Sequence, residues 1–148
     1  MRLKKKEGFL KKLSQAIDAE NTSAICYWHL SALIKNGKSK SKLKAFSTTS
    51  KENKALLLER LKGEGKGDFA LEKGCEFCKM DPQDLSVIGS VNLGLEMTKI
   101  AAKLYKDLLA SSRTGGDRSL FKRILNTKTD QNRFLRREKS FAPEAQEA

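Results

Sequence analysis

The chain has 148 residues, close to the usual size of one domain, and carries 30 Lys and Arg against 18 Asp and Glu, a net charge of +12 at pH 7. No apolar run approaches the roughly 20 residues of a membrane span, and no apolar leader region follows the basic start, which excludes a transmembrane segment. Three cysteines argue for a reducing compartment rather than a disulfide framework, so a cytoplasmic location is expected.

A basic tail, residues 1–8, precedes a first predicted helix at about Phe9–Ile34, where Phe9, Leu10, Leu13, Ile17, Ala24, Tyr27 and Ser31 recur at helical spacing. The mid-helix aromatics Tyr27 and Trp28 are expected in the core. Asn36-Gly37 reads as a C-terminal stop, because glycine adopts the left-handed conformation without a Cβ clash. The second helix is expected at about Ser41–Leu61, with Leu43, Phe46, Ala55, Leu56 and Leu57 buried, and Gly63, Gly65 and Gly67 end it. Residues 62–81 are too long for a tight turn and form a crossover. A third helix follows at about Pro82–Ser111, with Asp81 as its N-cap and proline at the first helical position. Thr114-Gly115-Gly116 makes a second turn, Asp117 caps a fourth helix at about Arg118–Glu138, and the polar stretch 140–148 is expected to fray.

Laid over itself at an offset of 78 residues, the chain matches without a gap. Ala24 falls on Ala102, Tyr27 on Tyr105, Leu30 on Leu108, Gly37 on Gly115, Ser41 on Ser119, Lys44 on Lys122 and Leu57 on Leu135. Each unit reads as helix, polar turn, helix, and a repeated supersecondary unit sets the architecture. The expected fold is all-α, a four-helix bundle of hairpins 9–61 and 82–139 joined by the crossover. One long connection between two hairpins is the ferritin-like arrangement.

Within these helices, Glu20-x-x-x-Ala24-x-x-Tyr27 supplies a glutamate, a small residue and a tyrosine, and Glu52-x-x-Ala55 follows on the second helix. In the second half, Thr98 precedes Tyr105 and Asp130-x-x-Arg133 ends the series. On these residues the chain resembles the rubrerythrin and ferritin-like superfamily. The resemblance implies a di-iron site built from one Glu on each of two helices and a Glu-x-x-His on each of the other two. The departures are large. The single histidine, His29, occupies neither histidine position, Ala55 has no donor, and Arg133 brings a positive charge. Glu20, Glu52 and Asp130 remain as remnant ligands, and oxygen donors alone suit hard cations rather than redox iron. The resemblance therefore implies a degenerate member with no cofactor; iron on the remnant carboxylates is the alternative.

Zinc is a second alternative. Cys75-Glu76-Phe77-Cys78 is half a zinc site, and Cys26-Tyr27-Trp28-His29 could add Cys26 and His29 to make a tetrahedral set. The plainer reading makes Cys26 a small core residue and Cys75 and Cys78 reduced thiols.

The charge concentrates at 2–12, 35–44, 99–106 and 118–139. Lys35, Lys38, Lys40, Lys42 and Lys44, with Arg133, Arg136 and Arg137, are the candidate contacts for nucleic acid or another polyanion. No helix-turn-helix, zinc finger or RNA-binding aromatic signature accompanies them, and nothing assembles a nucleophilic triad or a P-loop. The expected function is a non-catalytic binding or structural module. A metal-binding rubrerythrin-like protein and a basic nucleic-acid-binding protein are the alternatives. Val87, Ile88, Val91 and Leu95 are candidates for a homodimer face.

Overall fold

The computed structural model describes the backbone of residues 2–64 and 86–147, and the side chains of residues 7–64 and 86–141. The described residues form four helices, α1 (Arg2–Leu33), α2 (Gly37–Gly63), α3 (Val87–Ser111) and α4 (Gly115–Glu147), with no strand among them. The all-α, four-helix expectation holds.

Helix α3 ends at Ser111 as expected, and the other described helix ends differ from the sequence expectation. Helix α1 begins at Arg2 rather than Phe9, because Arg2, Leu3, Lys4, Lys5, Lys6 and Glu7 are all strong helix formers. Helix α4 continues to Glu147, past the expected end at Glu138. Asn36 does not stop α1 through a left-handed glycine. It caps α2 instead: its Oδ1 accepts the Lys38 backbone N–H at 2.9 Å and that of Ser39 at 3.1 Å. Lys38, Lys40, Lys42 and Lys44 therefore ride on the first turns of α2, not on a loop. Thr114 plays the same part for α4, its Oγ1 accepting the Asp117 N–H at 3.1 Å, so Asp117 lies inside the first turn rather than capping it. Ser86 caps α3 through the Gly89 N–H at 3.2 Å. The expected cap Asp81, with Pro82 and most of the crossover, lies outside the described residues.

Helix α1 packs against α2 and α3, and α3 against α4. Of three apolar clusters in the interior, two draw on all four helices. One gathers Leu13 and Ile17 of α1, Leu57 and Leu61 of α2, Tyr105 and Leu108 of α3, and Phe121 and Ile124 of α4. The other gathers Tyr27 and Leu30, then Leu43 and Phe46, with Val91 and Leu135. The first cluster takes the early half of α1, the late halves of α2 and α3, and the early half of α4. So α1 runs parallel to α4 and antiparallel to α2 and α3. Gly63 and Val87 consequently lie at opposite ends of the bundle, about 40 Å apart at 1.5 Å per residue over the 27 residues of α2. Where α3 meets α4 the Leu135 side chain lies against Gly94: a Cβ there would stand 2.9 Å from Leu135 Cδ1. Among the described residues, no helix is long and apolar enough to cross a membrane.

Trp28 and Ala55 are corrections to the expected core. Trp28 is 57% exposed, lying between the ammonium groups of Lys44 and Lys51 at 5.7 and 5.9 Å from its ring, and Ala55 also faces outward. Of the proposed dimer face, Val91 is buried, and Val87 and Leu95 pack against the second cluster.

Candidate functional site

Between the two apolar clusters lies a buried polar layer. Glu20 falls in the inward stripe of α1 between Ile17 and Tyr27, and Lys128 in that of α4 between Ile124 and Leu135, both fully buried. Lys128 Nζ donates to the Glu20 carboxylate at 2.9 Å, and the Tyr105 hydroxyl donates to the same carboxylate at 2.7 Å. Gln131 Oε1 accepts from the Tyr27 hydroxyl at 2.9 Å, and Lys128 Nζ lies 3.4 Å from the same oxygen. Burial, with Glu20 nearby, holds both tyrosines protonated well above the usual phenol range. Asn53 of α2 and Thr98 of α3 are buried too, Thr98 Oγ1 accepting from Asn132 Nδ2 at 2.7 Å.

A charged pair here has a physical logic. A lone carboxylate in this interior costs several kcal/mol, and an ammonium within hydrogen-bond distance offsets much of that. The same arrangement decides the fit to a di-iron pair. The inward residues at the centre are Glu20, Asn53, Thr98 and Gln131, one carboxylate and three neutral groups, with an ammonium already bound to the carboxylate. Ser50 Oγ, Asn53 Nδ2 and Gln131 Nε2 lack a protein partner, but these are hydroxyl and amide groups, not ligands for a dication. The donor set does not fit. Glu52 is exposed on α2, and Asp130 is exposed on α4, its side chain 3.8 Å from that of Arg133. Neither meets Glu20. The inward positions are Asn53 and Gln131, one residue later in each half.

Of the zinc set, Cys75 and Cys78 lie outside the described residues. Cys26 is buried between α1 and α3, its thiol 3.6 Å from the Ser90 carbonyl, and burial pushes it up to about 12. A thiol that resists deprotonation is a poor metal ligand. His29 is half-buried on the same helix. Among the described residues, no three His, Cys, Asp or Glu side chains group to hold a metal ion.

The basic residues separate into two sites. A groove of about 430 Å³ between α3 and α4 is lined by Lys99, Lys103 and Lys106 on one side and by Arg133 and Arg136 on the other, with Lys128 and Thr98 at its floor. No carboxylate lines it. Spacings of four and three residues put the three lysines on one face of α3, covering about 10 Å along the helix. Lys35, Lys38, Lys42 and Arg137 instead border a different groove at the end of the bundle. Lys40 and Lys44 stand on α2 outside both.

Lys128, Asn53 and Gln131 escaped the sequence reading, although the signal was present. Phe121, Ile124, Lys128, Gln131 and Leu135 recur at spacings of three and four, so the lysine and glutamine interrupt an apolar stripe. A charge in such a stripe asks for an opposite charge in another, and Glu20 interrupts that of α1.

The chain matches no protein-family profile and none of the curated proteins. Among solved structures it is similar to a hypothetical protein from Pyrococcus furiosus, with a TM-score of 0.74 and 21% identity over 90% of this chain and 89% of that one. At that identity the likeness concerns the fold alone.

Proposed function

We propose that the chain is a degenerate ferritin-like bundle, without catalysis or a di-iron centre, that binds nucleic-acid backbones along the α3–α4 groove. The observation that carries the reading is the groove itself: five exposed basic side chains and no carboxylate, on two helices. Fixed ammonium and guanidinium groups at helical spacing suit a row of phosphates, and the arginines add two-pronged donors. Ammonium and guanidinium groups that meet phosphates carry no base information, so binding without sequence preference is expected.

The ferritin-like assignment is supported by the parallel course of α2 and α3, which requires a connection along the whole bundle. It is supported also by matching roles 78 residues apart, Asn36 with Thr114 as caps and Tyr27 with Tyr105 as buried donors to the polar layer. The Lys128–Glu20 pair supports the absence of iron, since a fixed internal cation stands where a metal would be needed.

Fluorescence anisotropy with duplex DNA and single-stranded RNA across a salt series tests the function. Affinity should fall with a log–log slope of about −0.9 per phosphate neutralised on duplex DNA. Replacing Lys99, Lys103 and Lys106 together by Ser should lower that slope by about 2–3 and weaken all sequences alike. Equal binding by this variant, or no binding by either protein at about 50 mM salt, rejects the reading.

A further inference from the structure

The second groove has a different chemistry from the first. It measures about 580 Å³ and lies where the start of α2 and the late part of α4 meet the beginning of α3. Its floor is apolar: Ile34, Val87, Val91 and Phe134, all buried or half-buried. Leu33 and Phe141 rise beside it, 38% and 57% exposed, two of the four large apolar side chains left in solvent among the described residues. Four cations stand at the rim, Lys35, Lys38, Lys42 and Arg137. Against them stands one carboxylate, Glu138, which already accepts from Ser39 Oγ at 2.6 Å.

Such a groove selects by two properties together. The apolar floor favours a hydrocarbon chain, which gains free energy with each methylene removed from water. The clustered cations at one border favour an anionic head, held in water rather than buried. Few fixed donors or acceptors line the floor, so it cannot orient a sugar or a base. A volume of a few hundred cubic ångströms is of the ordinary size for a small-molecule site. We infer that this groove binds a long-chain carboxylate, its chain along Ile34, Val91 and Phe134 and its head among Lys38, Lys42 and Arg137.

Isothermal titration of the full chain with hexadecanoate, kept below its micellar concentration, tests this. One equivalent should bind with a Kd of about 1–100 μM. Octanoate should bind at least about tenfold more weakly, because eight methylenes are missing. Hexadecanol, which keeps the chain and loses the charge, should lose a similar factor, as should Lys38→Glu with Lys42→Glu, about tenfold each. Leu33→Ser with Phe141→Ser should weaken hexadecanoate while changing the thermal melt little, since neither side chain belongs to a core cluster. The Lys99, Lys103 and Lys106 variant should bind hexadecanoate as the parent does, which separates this site from the nucleic-acid groove. Absence of binding, or binding unchanged by both groove variants, overturns the inference. So does a concentration-dependent dimer in sedimentation that Leu33→Ser with Phe141→Ser dissociates and hexadecanoate leaves intact, for a second copy would then fill the groove.

Discussion

At the centre of the bundle, Lys128 is set by the one carboxylate it faces. Its ammonium and the Tyr105 hydroxyl both donate to Glu20, so each single replacement leaves an ionic or polar group without its partner. Lys128→Met should cost about 3–5 kcal/mol in chemical denaturation, because Glu20 then lies buried and uncompensated. The double replacement Lys128→Met, Glu20→Gln should recover most of that, since two neutral groups carry little desolvation penalty. Additive losses in the double variant would show that the pair is not coupled. Cys26 gives a second test at this scale. Burial raises its thiol from 9.0 to about 12, so between those values the unfolded chain loses a proton that the folded chain keeps. Its contribution is therefore intact below about pH 9 and is lost as pH rises, at about 1.4 kcal/mol per pH unit. Guanidinium unfolding at pH 8, 9.5 and 10.5 should show the parent losing stability faster than Cys26→Ala by about that slope; parallel pH dependences would contradict the buried thiol. Tyr27 was legible in the sequence as a member of an inward stripe, and Glu20 as a remnant ligand implied by the resemblance. Glu52 and Asp130 were misplaced, because matching a motif by spacing between helices tolerates a one-residue slip. A slip of one turns a helical residue by about 100°, from the core to water.

The helices themselves were legible, since an apolar residue every three or four positions is a strong signal over 25 or more residues. Their ends were not, because Asn-Gly and Thr-Gly-Gly serve equally as a stop for one helix or a start for the next. Hydrogen bonds decide it here: Asn36 and Thr114 each accept from the residue three positions on, so both are N-caps. Asn36→Ala and Thr114→Ala should each lower stability by about 1 kcal/mol, with Gly at either place costing only a few tenths. Were Asn36 the end of α1 instead, glycine there would stabilise rather than mildly destabilise, and the denaturant midpoint of the Gly variant would rise above that of the parent. The cap also places Lys38 and Lys42 on a rigid turn, one helical turn apart. That is why the five lysines expected as one set of polyanion contacts instead divide between a groove rim and open surface.

For the molecule as a whole, the main packing contacts bind α1 to α2, α3 to α4 and α1 to α3, which leaves α2 and α4 in lighter contact, through the Phe46–Phe134 ring pair and through polar clasps. Among the described residues two such clasps lie at opposite ends. Ser39 Oγ of α2 donates to Glu138 of α4, and Arg60 of α2 holds Asp117 of α4 through Nε at 2.7 Å and Nη2 at 3.0 Å. The partners correspond at the offset of 78, Ser39 with Asp117 and Arg60 with Glu138, so each hairpin offers the same two positions to the other. The chemistry is unequal. The Arg60–Asp117 clasp is a two-pronged ionic bond with Asp117 only 10% exposed, and it also raises the guanidinium pKa above its usual value. The other clasp joins a hydroxyl to a carboxylate. Arg60→Met and Asp117→Asn should each cost about 1.5–3 kcal/mol, and a double-mutant cycle should return a coupling of at least about 1 kcal/mol. Ser39→Ala should cost nearer 1 kcal/mol. Hydrogen exchange should report the difference spatially: loss of the Arg60 clasp should speed exchange in the late part of α2 and the early part of α4, leaving the Ser39 end protected. A coupling below about 0.5 kcal/mol, or faster exchange spread evenly over all four helices, would mean that apolar packing alone docks the hairpins and that the clasps are surface decoration.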